Sequence, residues 1–452
     1  VTHFDQIEHA NLSDVGIRRS HNQDDLAVHL ATDETQWEQR GHLFLVADGM
    51  GAHAVGEKAS EQAAGVVPHI YHKHTQEGPA SALRKAFVEA NASIHACGQQ
   101  NREFAGMGTT STALLLRPEG AWIAHVGDSR VYRVRDGVIE QLTYDHSYLW
   151  EYARTHKLDP ADVVNIPSNV IHRCLGPEPL VQVDVEGPHP VLPGDTFVLC
   201  SDGLSGQLSD PEIGAVVSAL PPAEACRFLV DFANLRGGPD NITVIVVRVT
   251  GSPPEANGTA GKQAHGFGPF GSGLRRVPWK KVLGPSRFPW PLVCLFAGTL
   301  LVCASIERHV YDMPYVYQTF AAAAAAITAG LVGLAFHYYR EVRREGAAAE
   351  AEKSKRTEPK VYRRSACKVE PPLVEKLAKV FGILSQRADE RNWEADRETS
   401  LEHHKQAEEA LVRDDFPAAF RELCLATLPF ARALERYRQK EEVFQPLWDK
   451  QR

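Results

Sequence analysis

The first 250 residues predict a mixed α and β fold, followed by a linker, two apolar stretches and a polar helical tail. Three observations carry that prediction. Apolar runs of strand type recur, and several end in Asp with a Gly or Asn turn (HLFLVADG, TTSTALLLR, AWIAHVGDSRVYRV, TFVLCSDG, NITVIVVRV). Two long segments between these runs carry helical spacing. Beyond Gly251 the periodicity stops and Gly, Pro and Ala take over.

The elements follow in order. GEKASEQAAGVVPHIYHKH begins a helix just after the Gly-rich turn at Asp48. PASALRKAFVEANASIHACGQQN places Leu83, Phe87, Ala90 and Ile94 on one helical face. AWIAHVGDSRVYRV reads as one strand. Residues 251–288 read as a linker with a basic end (Arg275, Arg276, Lys280, Lys281, Arg287). Pro289 to Ile306 and Tyr315 to Tyr339 then carry no charge, and both are long enough to span a hydrocarbon core. Basic residues flank their outer ends, so residues 289–339 predict a transmembrane hairpin with both ends in the cytoplasm. A charged linker and a cytoplasmic helical region fill 340–452. There Leu373, Leu377, Val380, Phe381 and Leu384 form one apolar face. Phe416, Phe420, Leu423 and Cys424 form a second, which resumes past Pro429 at Ala431, Leu434 and Tyr437. This tail has two readings: a small helical hairpin for partner binding or self-association, or a solvated coiled segment.

Composition narrows the function. The chain has 452 residues, enough for two or three domains. Its net charge of -8 is uneven: 32 acidic against 18 basic residues up to position 250, and 25 against 31 beyond it. The acidic half suits divalent metals, and no nucleic-acid-binding pattern appears. The eight cysteines are scattered without a CxxC pair, which suits reduced thiols and a cytosolic face. The polar start, VTHFDQIEHANLSD, predicts no secretory signal.

Four aspartates stand in distinctive contexts: Asp48 in VADGMGAH, Asp128 in HVGDSRVY, Asp202 in LCSDGLSG and Asp240 in GPDNITVIVV. Asp24, in RRSHNQDD, joins them. Strand ends of this kind place carboxylates at one mouth, and a set of hard oxygen donors selects Mg²⁺ or Mn²⁺ over zinc or copper. Two such ions about 3.5–4 Å apart form a clamp for phosphate-ester hydrolysis.

The segments GIRRSHNQDD, FLVADGMGAHAVGEKAS, GMGTTSTALLL, AHVGDSRVYRVRDG, LTYDHS, VIHRCLG, LCSDGLSG and DNITVIVV occur in an order that resembles the metal-dependent protein phosphatases of the PPM (type 2C) family, bacterial type. The resemblance runs from about Asn11 to Val249. It implies an α+β fold: a four-layer α-β-β-α sandwich of two antiparallel sheets. It further implies hydrolysis of phosphoserine and phosphothreonine in proteins through a metal-bridged hydroxide. By that resemblance Asp48 bridges two ions of Mn²⁺ or Mg²⁺, and the Gly49 carbonyl binds one of them. Asp202 and Asp240 bind the other, Asp24 belongs to the metal set, and Asp128 with Asp202 holds a third. Arg19, rather than the adjacent Arg18, matches the Arg that grips phosphate; a guanidinium fork suits a dianion. Thr109 and Thr110 are expected to hold backbone near the site. Residues Tyr144 to Gly176 match a flap beside it, in which His146, Asn169 and Arg173 shape rather than catalyse.

Two departures stand out. Gln23 replaces the family's usual Glu beside Asp24, which predicts one weakened metal site. Met50 follows Asp48-Gly49 where animal members carry a proposed general acid, which sorts the chain with bacterial members; His53 is a candidate proton donor. The expected partners are phosphoproteins made by Ser/Thr kinases, and the expected location is the inner membrane, facing the cytoplasm. The competing reading is a pseudophosphatase scaffold that binds phosphoproteins without hydrolysing them.

Overall fold

The computed structural model describes the chain except residues 1–4, 52–54, 101, 164, 168, 252–289, 311–316, 330, 333–359 and 444–452. The described parts of 1–255 and 357–452 form one compact unit, and those of 256–356 form a second. Two antiparallel sheets stack in the first. One runs β1 (Ile7–Asp14), β11 (Ile242–Val249), β10 (Thr196–Cys200), β7 (Arg130–Arg135), β8 (Val138–Gln141), β12 (Arg363–Ala366). The other runs β2 (Asp24–His29), β3 (His42–Met50), β5 (Ser111–Arg117), β6 (Gly120–Val126), β9 (Asp184–His189), with the short β4 (Gly108–Thr109) on the end of β3.

Alternation decides what each strand buries. Along β3, Phe44 and Val46 pack between the sheets with Leu114, Phe197 and Ile245. The six-residue α1 (Glu34–Gln39) adds the fully buried Trp37 to that inner layer. Leu43, Leu45 and Ala47 face outward, under α2 (Val55–Lys73) and α3 (Pro79–Gln100). The expected stripe of α3 is the buried one: Leu83, Phe87, Ala90 and Ile94 are all fully covered. The first sheet repeats the pattern. Ile245 and Val247 of β11 point inward, while Val244 and Val246 pack under the helices on its outer face. Three short helices complete the order: α4 (Tyr148–His156) in the flap, α5 (Asp202–Ser205) after β10, and α6 (Asp210–Ala219), followed by the longer α7 (Pro222–Leu235).

The segment AWIAHVGDSRVYRV is two strands, not one. β6 and β7 lie in different sheets, and the chain crosses between them at Gly127. Gly127 has φ +117°, and a Cβ there would come within 2.6 Å of Thr110 Cβ. Only glycine fits that corner, and it leaves Asp128 at the crossover.

The second unit corrects an expectation. It contains α8 (Trp290–Val310) and the helix α9 (317–329), which touch where Gly298 lies against Ile327. The expected transmembrane hairpin is not found: among the described residues no helix is long and apolar enough to cross a membrane. Physically, α8 reaches charge at Glu307 and Arg308, and α9 is dominated by weakly hydrophobic alanine, Ala321 to Ala326. The linker 252–288 and the end of the second apolar stretch, 333–339, lie outside the described residues.

The tail is not a free hairpin. β12 adds to the edge of the first sheet beside β8. Then α10 (Pro371–Glu390), α11 (Arg397–Val412) and α12 (Phe416–Val443) build a further layer over α6 and α7. Val374, Leu377, Phe420, Leu423 and Cys424 share one cluster with Ile213, Val216 and Phe228. Phe381, Leu384, Trp393 and Phe430 form a second cluster among the tail helices. α12 runs through Pro429 without a break.

Candidate active site

Strand ends and turns bring the expected side chains together. Arg19, Asp48, Gly49, Asp128, Asp202 and Asp240 line one open cavity of about 200 Å³, with Gln23, Met50, Gly51, Thr110, Asn169 and Ile171. Asp48 closes β3, Asp128 sits at the β6–β7 crossover, Asp202 starts α5 and Asp240 precedes β11. Asp24 is not among the lining residues. It lies opposite Asp48 in the β2–β3 register and beneath the floor, where its Oδ2 accepts from Ser201 Oγ at 2.8 Å. His53 lies outside the described residues.

Local structure fixes these positions. Thr110 Oγ1 accepts from the Asp48 amide at 2.9 Å, and Thr109 Oγ1 donates to the Asp48 carbonyl at 2.9 Å. The Gly-Thr-Thr segment therefore clamps the Asp48 backbone, as expected. Gly49 is required by packing: a Cβ there would meet the Gly56 carbonyl oxygen at 2.1 Å and that of Gln23 at 2.5 Å. In the flap, His146 Nε2 meets Asp184 at 3.0 Å, and Arg173 pairs with the same carboxylate at 3.0 Å. Burial would raise the Asp184 pKa, but His146 and Arg173 outweigh it and hold it at about 2. His146 and Arg173 are thus tied to structure, and Asn169 alone of the three flap residues reaches the cavity.

The sequence reading missed Asn241 and Ser201. Asn241 Nδ2 donates to the carbonyls of Val15 and His21, and its Oδ1 accepts from the Gln23 amide at 2.9 Å. One amide thus pins the loop that carries Arg19, Gln23 and Asp24. A polar residue directly after a site aspartate, in PDNIT, was the available signal.

The electrostatics are dominated by crowded carboxylates. Burial raises Asp48 well above the usual carboxylate range, and Asp24, Asp202, Asp128 and Asp240 push it further. Burial also lifts Asp24, to about 7. Burial and neighbouring carboxylates raise Asp128 and Asp202 as well. Asp202 shares a hydrogen bond with Asp48, and Arg19 reaches Asp240 at 2.7 Å. Among the described residues no three His, Cys, Asp or Glu side chains are already drawn to coordination spacing. The residues nonetheless fit divalent cations. Two buried carboxylate oxygens, Asp24 Oδ1 and Asp202 Oδ1, have no hydrogen-bond partner among the described residues. The donors are all hard oxygens, and the like charges need a counter-charge.

A pH dependence follows. Acids whose folded pKa lies above the unfolded value hold protons in the folded state that the unfolded chain releases. Without metal, the contribution of Asp24 to stability is therefore full below about pH 4 and is lost as pH rises through about 7, its folded value. Cation binding requires the deprotonated carboxylates, so it opposes that loss. Thermal melts in chelator are expected to fall from pH 5 to pH 8, and added Mn²⁺ to raise them more at pH 8. Equal Mn²⁺ stabilisation at both pH values would contradict this.

Two stacked antiparallel sheets with an oxygen-only aspartate basin at their rim fit the class of metal-dependent phosphate-ester hydrolases. Relatives agree. The profile of the family described as Protein phosphatase 2C matches residues 17–231. The serine/threonine phosphatase stp of Listeria monocytogenes is 35% identical over 241 residues, which are 52% of this chain and 93% of that protein. The serine/threonine protein phosphatase PstP of Mycobacterium tuberculosis is 32% identical over 249 residues, 54% of this chain and 45% of that protein. A solved structure of the PstP catalytic domain in complex with 2 manganese ions is 30% identical, covers 54% of this chain and 99% of that one, and superposes with a TM-score of 0.46. The chain belongs to the protein phosphatase 2C (PPM) family and is a metal-dependent protein serine/threonine phosphatase.

Proposed function

We propose that the aspartate basin is the catalytic centre of this phosphatase, with Asp48 at its middle. The observation that carries this reading is the meeting of Asp48, Asp128, Asp202 and Asp240 with Arg19 around one cavity, with Asp24 beneath it. Asp48, Asp202, Asp240 and the Gly49 carbonyl would hold two ions of Mn²⁺ or Mg²⁺, and Asp128 with Asp202 would hold a third. Such ions supply charge neutralisation at the phosphate and activation of water at neutral pH. Arg19, partly exposed at the rim, turns its fork from Asp240 to the incoming phosphate dianion. Asp24 adds negative charge from below and orients Ser201. The substrates are phosphoserine and phosphothreonine in proteins, the products of Ser/Thr kinases. Changing Asp202 to Ala tests the assignment: phosphate release from a phosphothreonine peptide should disappear while the fold persists.

Gln23 lines the cavity where a carboxylate would strengthen the cation site. Gln23→Glu is expected to lower the Mn²⁺ concentration needed for half-maximal thermal stabilisation by about tenfold, the order of effect seen when groups that support metal ligands change. An unchanged or higher requirement would remove Gln23 from the metal site.

Location rests on sequence. The uncharged stretch Pro289 to Ile306 and the basic residues flanking 289–339 support a tether embedded in the inner membrane without crossing it, with the catalytic domain in the cytoplasm. Alkaline extraction of membranes tests it. Retention with the lipid pellet supports a tether, and full release refutes it.

A further inference from the structure

We propose that the returning strand of the tail, through Tyr362 and Arg363, positions the flap that covers the active site. The inference rests on the phosphatase reading above and adds a structural cause for how a protein substrate is received. The Listeria relative is matched over 93% of its length by the first domain of this chain, so residues 360–443 lie beyond the shared region.

Three contacts tie this strand to the flap and its base. The Tyr362 ring packs on Tyr144, the first flap residue, with centroids 5.6 Å apart. Tyr144 packs edge-on against Trp150 of α4 at 5.2 Å. The Tyr362 hydroxyl donates to Glu186 of β9, which pins the ring from the other sheet. Arg363 stands between two carboxylates, Asp210 at 3.3 Å and Asp159 of the flap at 3.7 Å. Asp210 in turn accepts from the Tyr132 hydroxyl at 3.0 Å. Arg130 donates to that hydroxyl at 2.9 Å and pairs with Asp145, the second flap residue, at 2.7 Å. Arg363 thus closes a network, buried at Tyr132 and Asp210 and open at Asp159, that begins two residues after Asp128.

The flap carries this hold to the cavity. Its two legs pair: Tyr148 donates to the Val170 carbonyl at 3.0 Å and His172 to that of His146 at 2.9 Å. Asn169 and Ile171, on the second leg, line the cavity. The first leg is held by Tyr362 at Tyr144, so the second cannot shift without it. Exposed Tyr148, Tyr152 and Leu158 surround this hairpin, where a protein substrate makes contact and a small phosphate ester does not. Tyr362 and Arg363 are therefore positioning residues: they touch no substrate, and they set where Asn169 and Ile171 stand.

The test uses the full chain with Mn²⁺, comparing wild type with Tyr362→Ala, Tyr362→Phe and Arg363→Gln. Kinetics are read on a phosphothreonine peptide and on p-nitrophenyl phosphate, and hydrogen exchange over residues 144–163 and over β3. In Tyr362→Ala and Arg363→Gln, KM for the peptide is expected to rise about tenfold, with kcat for the aryl phosphate within about twofold. Flap amides should exchange faster while β3 stays protected. Tyr362→Phe keeps the ring contact and should recover most of the peptide KM. A peptide and an aryl phosphate that lose rate together, or a flap that exchanges as in wild type, would overturn the proposal. If Tyr362→Ala exposes β3, Arg363→Gln decides by the same readings. An aryl phosphatase activity absent from wild type would count against the catalytic centre instead, since flap exchange is read without turnover.

Discussion

Asp48→Asn is expected to lower phosphate release from a phosphothreonine peptide by at least about 10²–10³-fold, the scale on which a single preorganised charge-stabilising group acts. The substitution keeps shape. Thr109 and Thr110 hold the Asp48 backbone, not its carboxylate, so the strand end stays in place. What changes is charge at the centre of the basin, where Asp24, Asp202, Asp128 and Asp240 all act on Asp48. Removing it also relieves repulsion, so the metal-free variant should melt higher than wild type in chelator at pH 8. Activity and stability then move in opposite directions, which a misfolded variant cannot do. Steady-state kinetics beside thermal melts check both. Near-wild-type turnover would remove Asp48 from the centre.

The second large effect concerns the tail. The tail packs on the first domain and is expected to stabilise it. Val374, Leu377, Phe420, Leu423 and Cys424 cover the outer faces of α6 and α7, and each large apolar side chain so buried contributes about 1.5–3 kcal/mol. Lys376 and Arg236 both pair with Glu212, at 2.6 Å each. Burial alone would raise the Glu212 pKa, but those donors outweigh it and hold it well below the usual range. A fragment ending at Val249 leaves Ile213, Val216 and Phe228 without their cover and loses the Lys376 half of that pairing. Its melting temperature is expected to fall by about 10 °C or more relative to the full chain, given roughly 2–4 °C per kcal/mol at this size. Differential scanning calorimetry of the two proteins checks it. Equal melting temperatures would show that the tail layer adds no stability.

These outcomes show what the sequence could and could not disclose. The aspartates were legible because each ends an apolar run and begins a turn, a local pattern. The buried stripe of α3 was legible because helical spacing is also local. The change of sheet at Gly127 was not, since the turn residues Gly127, Asp128 and Ser129 mark the end of a run but not which sheet the next run joins. β12 was hidden because Arg-Arg-Ser-Ala carries no strand signature; it is a strand because β8 offers an open edge. Asn241 and Ser201 act on residues roughly two hundred positions away, which no window along the chain contains. α12 continues through Pro429 because Ala426, Phe430 and Ala433 are buried on either side of it, so packing overrides the local preference.

The most direct test of the account is phosphate release from a phosphothreonine peptide by the full chain, measured with Mn²⁺, with chelator, and with Asp202→Ala in Mn²⁺. The account predicts release with Mn²⁺ and none in either other condition, with the protein folded in all three samples. Release that persists in chelator, or a folded chain that binds Mn²⁺ and phosphopeptide without releasing phosphate, would contradict it, and the second result would make this chain a scaffold.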